Sequence, residues 1–239
     1  MNMVTNFAKL YLIPTTLSPE INSIGILACD ISKLTNITSF IVETAKTARA
    51  HLKHLQLATP INQLEFQELN KHNQDYTSLI KFIQEKQSVG LISDCGCPAI
   101  ADPGAKLVSL CHQNNIEVIP LVGASSIILG LMSSGLNGQN FCFNGYLDKE
   151  EVKRNEQMTH MLNMVQKHNQ TQIIIEAPFR NAQVYSYLLN KLPNNYILSL
   201  AINLMSPEQQ IISKPVEQHK NLNIQINKQE VIFFFGAPL

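Results

Sequence analysis

The sequence predicts an α/β protein made of two α/β domains. Three observations lead to this. Short apolar runs alternate with longer amphipathic stretches along the chain, the pattern of strands joined by helices. Between residues 88 and 126, two such runs in succession end in turns of small residues punctuated by glycine and proline. The 239 residues, 45% of them hydrophobic, suffice for two units with real cores.

Residues 9–13 (KLYLI) read as the first strand, and a loop leads to a second strand at 38–42. An amphipathic helix spans 44–55. Within it, HLKHL sets His51 and His54 one turn apart on what reads as an exposed polar face. A strand near Phe66 and a helix over 75–86 follow. The run 89–92 reads as a buried parallel strand, Leu107, Leu110 and Cys111 mark a helix, and 118–121 is the next strand. A helix at 125–134 and a strand at 141–146 precede a long helix at 151–167. Met158, Met161, Leu162 and Val165 share one face of that helix, as core packing requires. Strands at 173–176, 196–201, 210–213 and 231–235, with a helix at 181–192, complete the chain. The turn at 120–124 sets the expected boundary, giving domains 1–120 and 121–239. No internal repeat or low-complexity tract appears.

Eighteen basic residues balance eighteen acidic ones, so no overall positive field exists to hold a polyanion. Five cysteines without framework spacing point to a reducing cytosol and away from a secreted disulfide scaffold. Cys95 and Cys97 are one residue apart, unlike the Cys-x-x-Cys of zinc knuckles, and no metal site is expected. The first residues lack the basic start and cleavage site of a signal peptide, and no apolar stretch is long enough to span a membrane. A soluble cytoplasmic protein with no membrane association is expected.

In an open parallel sheet, ligands gather at the carboxyl ends of the strands, where both Gly-Pro turns fall. Gly96, Gly104 and Gly123 let a ligand approach the main chain, while Pro98 and Pro103 fix the local path. The residues 93–98 (SDCGCP) through 101–104 (ADPG), followed by 119–126 (IPLVGASS), resemble the S-adenosylmethionine-dependent tetrapyrrole methylase superfamily, and within it the ribosomal RNA small subunit methyltransferase I branch. Further matches are 10–15 (LYLIPT), 70–72 (NKH), 141–147 (FCFNGYL) with Lys149 and Arg154, and 176–180 (EAPFR), so the resemblance covers nearly the whole chain.

The resemblance implies two α/β domains of the tetrapyrrole methylase type with the cofactor, S-adenosyl-L-methionine, in the inter-domain cleft, and a homodimer. It places Gly96, Cys97 and Pro98 in the first cofactor loop, with Ile100 and Ala101 just beyond, and Ala124, Ser125 and Ser126 in the second. Tyr146, Ala177 and Pro178 match later cofactor contacts, and Gly236 would close the adenine pocket. The chain also departs from the pattern. Residues 11–16 replace the superfamily's N-terminal glycine loop, as in the ribosomal RNA branch. Cys97 replaces an acidic loop residue. That branch's Glu-Asp-Thr-Arg becomes Glu43-Thr44-Ala45-Lys46, with Arg49 a turn later, and Ala201-Ile202-Asn203 replaces an Arg-Glu pair.

Methyl transfer proceeds by in-line attack on the sulfonium methyl and is mostly a matter of alignment. A ribose 2′-hydroxyl acceptor needs a base, for which Glu43 and Asp102 are the candidates, with Lys46 or Arg49 on a phosphate. Asp102 could equally cap the helix beginning near Gly104. Three readings stay open at this level. Ribose methylation of small-subunit ribosomal RNA is favoured by Lys46, Arg49, Lys71, Lys149, Lys153, Arg154 and Arg180 recurring near the cleft. Methylation of a tetrapyrrole or other small molecule is favoured by the zero net charge. The third reading is a non-catalytic adenosyl-cofactor-binding module.

Overall fold

The computed structural model describes residues 7–18, 28–55, 57–69 and 72–239. The chain divides into two compact units, Met1–Ser125 and Ser126–Leu239.

The first unit is a five-stranded sheet in the order β3-β2-β4-β1-β5. Its strands are β1 (Lys9–Ile13), β2 (Ser39–Val42), β3 (Glu65–Glu68), β4 (Ser88–Ile92) and β5 (Glu117–Pro120). Every pairing is parallel, with Lys9 opposite Ser88 and Ile13 opposite Ile92 at the centre. All the carboxyl ends therefore share one edge. The helices are α1 (Ala28–Leu34), α2 (Ala45–Leu52), α3 (Tyr76–Lys86) and α4 (Gly104–Gln113). Their buried side chains divide between two clusters: Leu79, Ile83, Leu107 and Cys111 in one, Leu34, Ala48 and Leu52 in the other. Helix α3 shows how local signals set an element. Asp75 accepts a hydrogen bond from the Ser78 N–H at its start, Leu79, Ile80, Phe82 and Ile83 form its buried face, and Gln87 ends it in the left-handed region at φ 66°.

Two features of this unit differ from the sequence reading. The loop expected after β1 contains α1, whose seven residues make barely two turns, too few for a sustained amphipathic repeat; Leu34 and Ile31 fix it by packing beside Ile13 and Phe40. His51, expected on an exposed face, is buried with Ala48 and Leu52 on the inward side of α2. Burial pushes its pKa down to about 4; the nearby His54 adds to this, and a hydrogen bond with the Pro14 backbone opposes it. Above pH 6.5 the ring is neutral whether the chain is folded or unfolded. Below 6.5 the unfolded chain takes up the proton first, so stability is lost down to about pH 4. Urea unfolding at stepped pH should show a loss of about 2 kcal/mol from this ring between pH 7.5 and pH 5, and His51→Gln should flatten that dependence. Buried His219, likewise shifted down by burial, leaves a smaller residual slope of the same sign.

The second unit has β6 (Phe141–Phe143), β7 (Thr171–Ile175), β8 (Ile197–Ile202), β9 (Gln210–Pro215) and β10 (Val231–Gly236), in the order β6-β7-β10-β8-β9. Only β6 and β7 run parallel; β10 is antiparallel to both β7 and β8, and β9 to β8. The helices are α5 (Ser126–Ser134), α6 (Glu151–His168), α7 (Asn181–Lys191) and α8 (Val216–His219). Strand β10, VIFFFG, is buried at every residue because both sheet faces are covered. Phe233 and Phe235 join Met158, Met161 and Val165 of α6 and Val184 and Leu188 of α7, so the methionine face is core as expected. Burying each such side chain contributes about 1.5–3 kcal/mol. On the other face α5 comes so close that a Cβ at Gly130 would lie 2.3 Å from the Phe234 ring. Among the described residues, no helix is long and apolar enough to cross a membrane.

Candidate active site

The turn after β4 is held from three sides. Glu43, just past β2, accepts the Asp94 N–H at 3.2 Å, and Asp94 accepts the Thr44 hydroxyl at 2.8 Å. Thr15, just past β1, donates to the Gly96 carbonyl through its N–H at 2.9 Å and its hydroxyl at 3.4 Å. Asp102 accepts the Ala99 N–H at 3.0 Å and the Gly104 N–H at 2.7 Å. Between these anchors the chain enters the left-handed region at Gly96 (φ 71°), Ala99 (φ 67°) and Ala101 (φ 61°). For alanine that conformation costs about 1 kcal/mol or more and persists only where surroundings impose it. Asp102 supplies part of that constraint, and it also bonds the first N–H of α4, as the capping alternative required.

The turn after β5 is anchored just as firmly. The Val122 N–H donates to Asp30 of α1 at 3.1 Å, and the Cys97 thiol donates to the Ala124 carbonyl at 3.2 Å. Burial pushes the Cys97 thiol up, which keeps it protonated and able to donate. A carboxylate at this position would have no proton to offer. Gly123 sits against Pro14, where a Cβ would come within 2.3 Å of the proline Cβ. Gly96, Cys97 and Ala124 are thus brought together in the first unit, and the two turns pack so closely that a Cβ at Gly96 would meet Leu17 at 3.2 Å. The small residues and exposed backbone of these two turns are of the kind that would suit a ligand of the adenosyl type. Pro98 is buried, while Ile100 and Ala101 are exposed on the loop. Ser125 ends the turn and Ser126 opens α5.

Glu43 and Asp102 line one small pocket together with Leu69, Ser93 and Pro103. Burial raises the Asp102 pKa above the ordinary carboxylate value, its two N–H partners pull it down, and the charge of Glu43 adds to the rise. Lys46 and Arg49 are exposed on α2, a few residues beyond Glu43, with the Arg49 guanidinium 4.7 Å above the Phe66 ring.

In the second unit, Tyr146 follows β6 and Ala177 and Pro178 follow β7, so all three stand at the shared carboxyl edge of neighbouring parallel strands. Gly236 does not join them. It ends the antiparallel strand β10 beyond the Phe235–Gln172 pair, next to Thr171 at the opposite edge of the sheet. Two cations counted in the sequence as recurring near the cleft are engaged within this unit. Arg180 pairs with Glu176 at 3.3 Å and is only 12% exposed; Arg154 donates to the carbonyls of Asp148 and Lys149 and lies 5.0 Å from the Tyr187 ring. Asn70 and Lys71 lie outside the described residues. Sequence reasoning missed Thr15 and Asp30 as anchors. A hydroxyl directly after a strand and a lone acid in a short apolar stretch were the only signals.

No family model matches the chain. In sequence it is 36% identical over 166 residues to ribosomal RNA small subunit methyltransferase I of a Synechocystis species, covering 65% of this chain and 57% of that protein. It spans 63% of a second curated relative of the same name, from Buchnera aphidicola, at 29% identity over 82% of this chain. In structure it matches the methyltransferase CobJ with a TM-score of 0.63 at 13% identity, covering 97% of this chain and 94% of that one. Uroporphyrin-III-C-methyltransferase from Thermus thermophilus matches with a TM-score of 0.57 at 15% identity, over 96% and 94% of the two chains. The chain is thus similar in sequence to proteins named ribosomal RNA small subunit methyltransferase I, and it shares its fold with CobJ and uroporphyrin-III-C-methyltransferase.

Proposed function

We propose that this chain is an S-adenosylmethionine-dependent methyltransferase acting on a ribose 2′-hydroxyl of small-subunit ribosomal RNA, in the cytoplasm and as a homodimer. The observation that supports this most is the similarity to proteins named ribosomal RNA small subunit methyltransferase I over 65% to 82% of the chain. The chain spans about three fifths of their length.

When bound, S-adenosylmethionine supplies an electrophilic methyl group. The loops around Gly96, Cys97 and Ala124 would hold it through backbone contacts, with Ser125, Ser126, Tyr146, Ala177 and Pro178 as further contacts. Glu43 accepts the proton of the attacking hydroxyl as the new bond forms, and Lys46 and Arg49 hold an adjacent phosphate. Asp102, already accepting two backbone N–H groups, keeps the strained loop in shape and acts as a positioning residue. Rate enhancement then comes chiefly from alignment.

The direct test is transfer of labelled methyl from S-adenosylmethionine to small ribosomal subunits from cells lacking this gene, with wild-type subunits as control. Label on the deficient subunits alone is expected; no transfer, with cofactor bound by calorimetry, would redirect the search to small acceptors. Lys46→Ala combined with Arg49→Ala should raise KM for subunits roughly tenfold or more and flatten its salt dependence, with cofactor affinity unchanged. Equal loss of RNA turnover and cofactor binding would refute a phosphate role.

A further inference from the structure

The carboxyl edge of β6 and β7 presents an aromatic ring that the cofactor contacts do not use. Phe179 is 71% exposed, more than any other aromatic among the described residues. Single exposed apolar side chains are ordinary on protein surfaces. This one differs in the turn that carries it. Glu176, with its side chain 2% exposed, pairs with Arg180 across the turn and accepts the Ala177 N–H at 2.9 Å. The Arg180 N–H donates to the Ala177 carbonyl at 2.8 Å, and the Lys228 N–H to the Pro178 carbonyl at 3.1 Å. Fully buried Asn181 donates to the Gln229 carbonyl at 2.7 Å, and Pro178 fixes its own φ. A buried ion pair and four hydrogen bonds therefore immobilise the backbone on both sides of a ring that points into solvent.

The adjacent loop is built alike. Arg154 reaches across to the carbonyls of Asp148 at 3.2 Å and Lys149 at 2.9 Å, fixing the segment that follows Tyr146, which is 55% exposed at the same edge. Lys149 is itself exposed. Two arginines are thus committed to stiffening two loops that carry aromatic rings and a lysine.

We propose that Phe179 is a stacking platform for a nucleobase of the acceptor RNA, an inference that rests on the ribosomal RNA reading above. Sequence-specific RNA recognition mostly targets single-stranded loops and bulges, and the bases unstacked there are commonly received on aromatic faces. A ring on a pre-fixed turn gives up little entropy when a base settles on it, which is the advantage of preorganisation. The lysine on the neighbouring loop suits the accompanying phosphate.

The test compares wild type with Phe179→Ala, Phe179→Leu and Phe179→Trp in the full chain. It measures methyl transfer to deficient small subunits, cofactor affinity by calorimetry, oligomeric state by sedimentation, and thermal unfolding. Phe179→Ala should raise KM for subunits about five- to a hundredfold, the range for losing one stacked base. Its kcat should stay within about twofold, since the group does no chemistry. Because no phosphate contact is lost, the salt slope should not change. Phe179→Trp should restore KM and Phe179→Leu should not, because Leu supplies apolar area without a π-face. The ring is exposed, so unfolding should be unaltered. Wild-type kinetics in Phe179→Ala, or rescue by Leu equal to that by Trp, would overturn the proposal. So would weakened cofactor affinity, which would assign the ring to the adenine, or a changed oligomeric state, which would assign it to an interface between copies. If the wild-type chain itself transfers no methyl to subunits, the ribosomal RNA reading falls; wild-type turnover with an unaffected Phe179→Ala removes only the role of Phe179.

Discussion

Glu43→Gln is expected to lower methyl transfer to small ribosomal subunits by about two to four orders of magnitude, the range for removing a general base. A glutamine carbonyl can still accept the Asp94 N–H that Glu43 accepts at 3.2 Å, so the turn after β4 keeps its anchor. What disappears is the capacity to take a proton. Single-turnover rates should therefore collapse while cofactor affinity, measured with S-adenosylhomocysteine, stays near wild type. Asp102→Asn supplies the contrast. An amide has one acceptor oxygen where the carboxylate uses two for the Ala99 N–H, and it brings N–H donors towards that group and the Gly104 N–H. The left-handed conformations at Ala99 and Ala101 lose part of their support, and the expected loss is in cofactor affinity and stability more than in the chemical step. A Glu43→Gln enzyme within tenfold of wild type would remove Glu43 as the base.

Gly123→Ala should both weaken folding by about 1–3 kcal/mol and reduce cofactor affinity at least tenfold. The added Cβ would meet Pro14 Cβ at 2.3 Å and Cγ at 2.6 Å. A proline ring at the end of β1 has no free rotamer with which to retreat, so the main chain of the turn must move. That turn is tied to Asp30 at Val122 and to Cys97 at Ala124, so displacement at Gly123 reaches the turns after both β4 and β5. Gly138→Ala is the control, because a Cβ there meets nothing within 4 Å. Urea unfolding and calorimetric titration with S-adenosylhomocysteine separate the two effects. Wild-type cofactor affinity in Gly123→Ala would place the cofactor away from the turn after β5.

Much of the fold was legible because the signals are local. A five-residue run such as KLYLI declares a strand wherever it lies, and α6 declares its inward face through Met158, Met161 and Val165. The two Gly-Pro turns were legible for the same reason: glycine and proline act on their own backbone angles. Helix α1 was hidden because seven residues hold too few apolar positions to set a period, and it exists by virtue of Leu34 and Ile31 packing beside Phe40. His51 was misplaced because a histidine reads as polar, and only the inward rotation of α2 showed that it is buried.

The sequence by itself determined the order of the strands and of the longer helices, the position of the two Gly-Pro turns and the family that the chain resembles. Each is encoded in residues a few places apart, whose period or backbone preference needs no distant partner. Only the tertiary structure decided that β10 runs antiparallel between β7 and β8, which puts Gly236 at the opposite edge from Ala177 and Pro178. An apolar strand reads the same in either direction, because side chains alternate with period two whichever way the neighbour runs. Tertiary structure likewise decided which charges are engaged in holding the fold. Asp30 meets Val122 across 92 residues and Glu43 meets Asp94 across 51, and contacts so distant along the chain leave no trace in local composition.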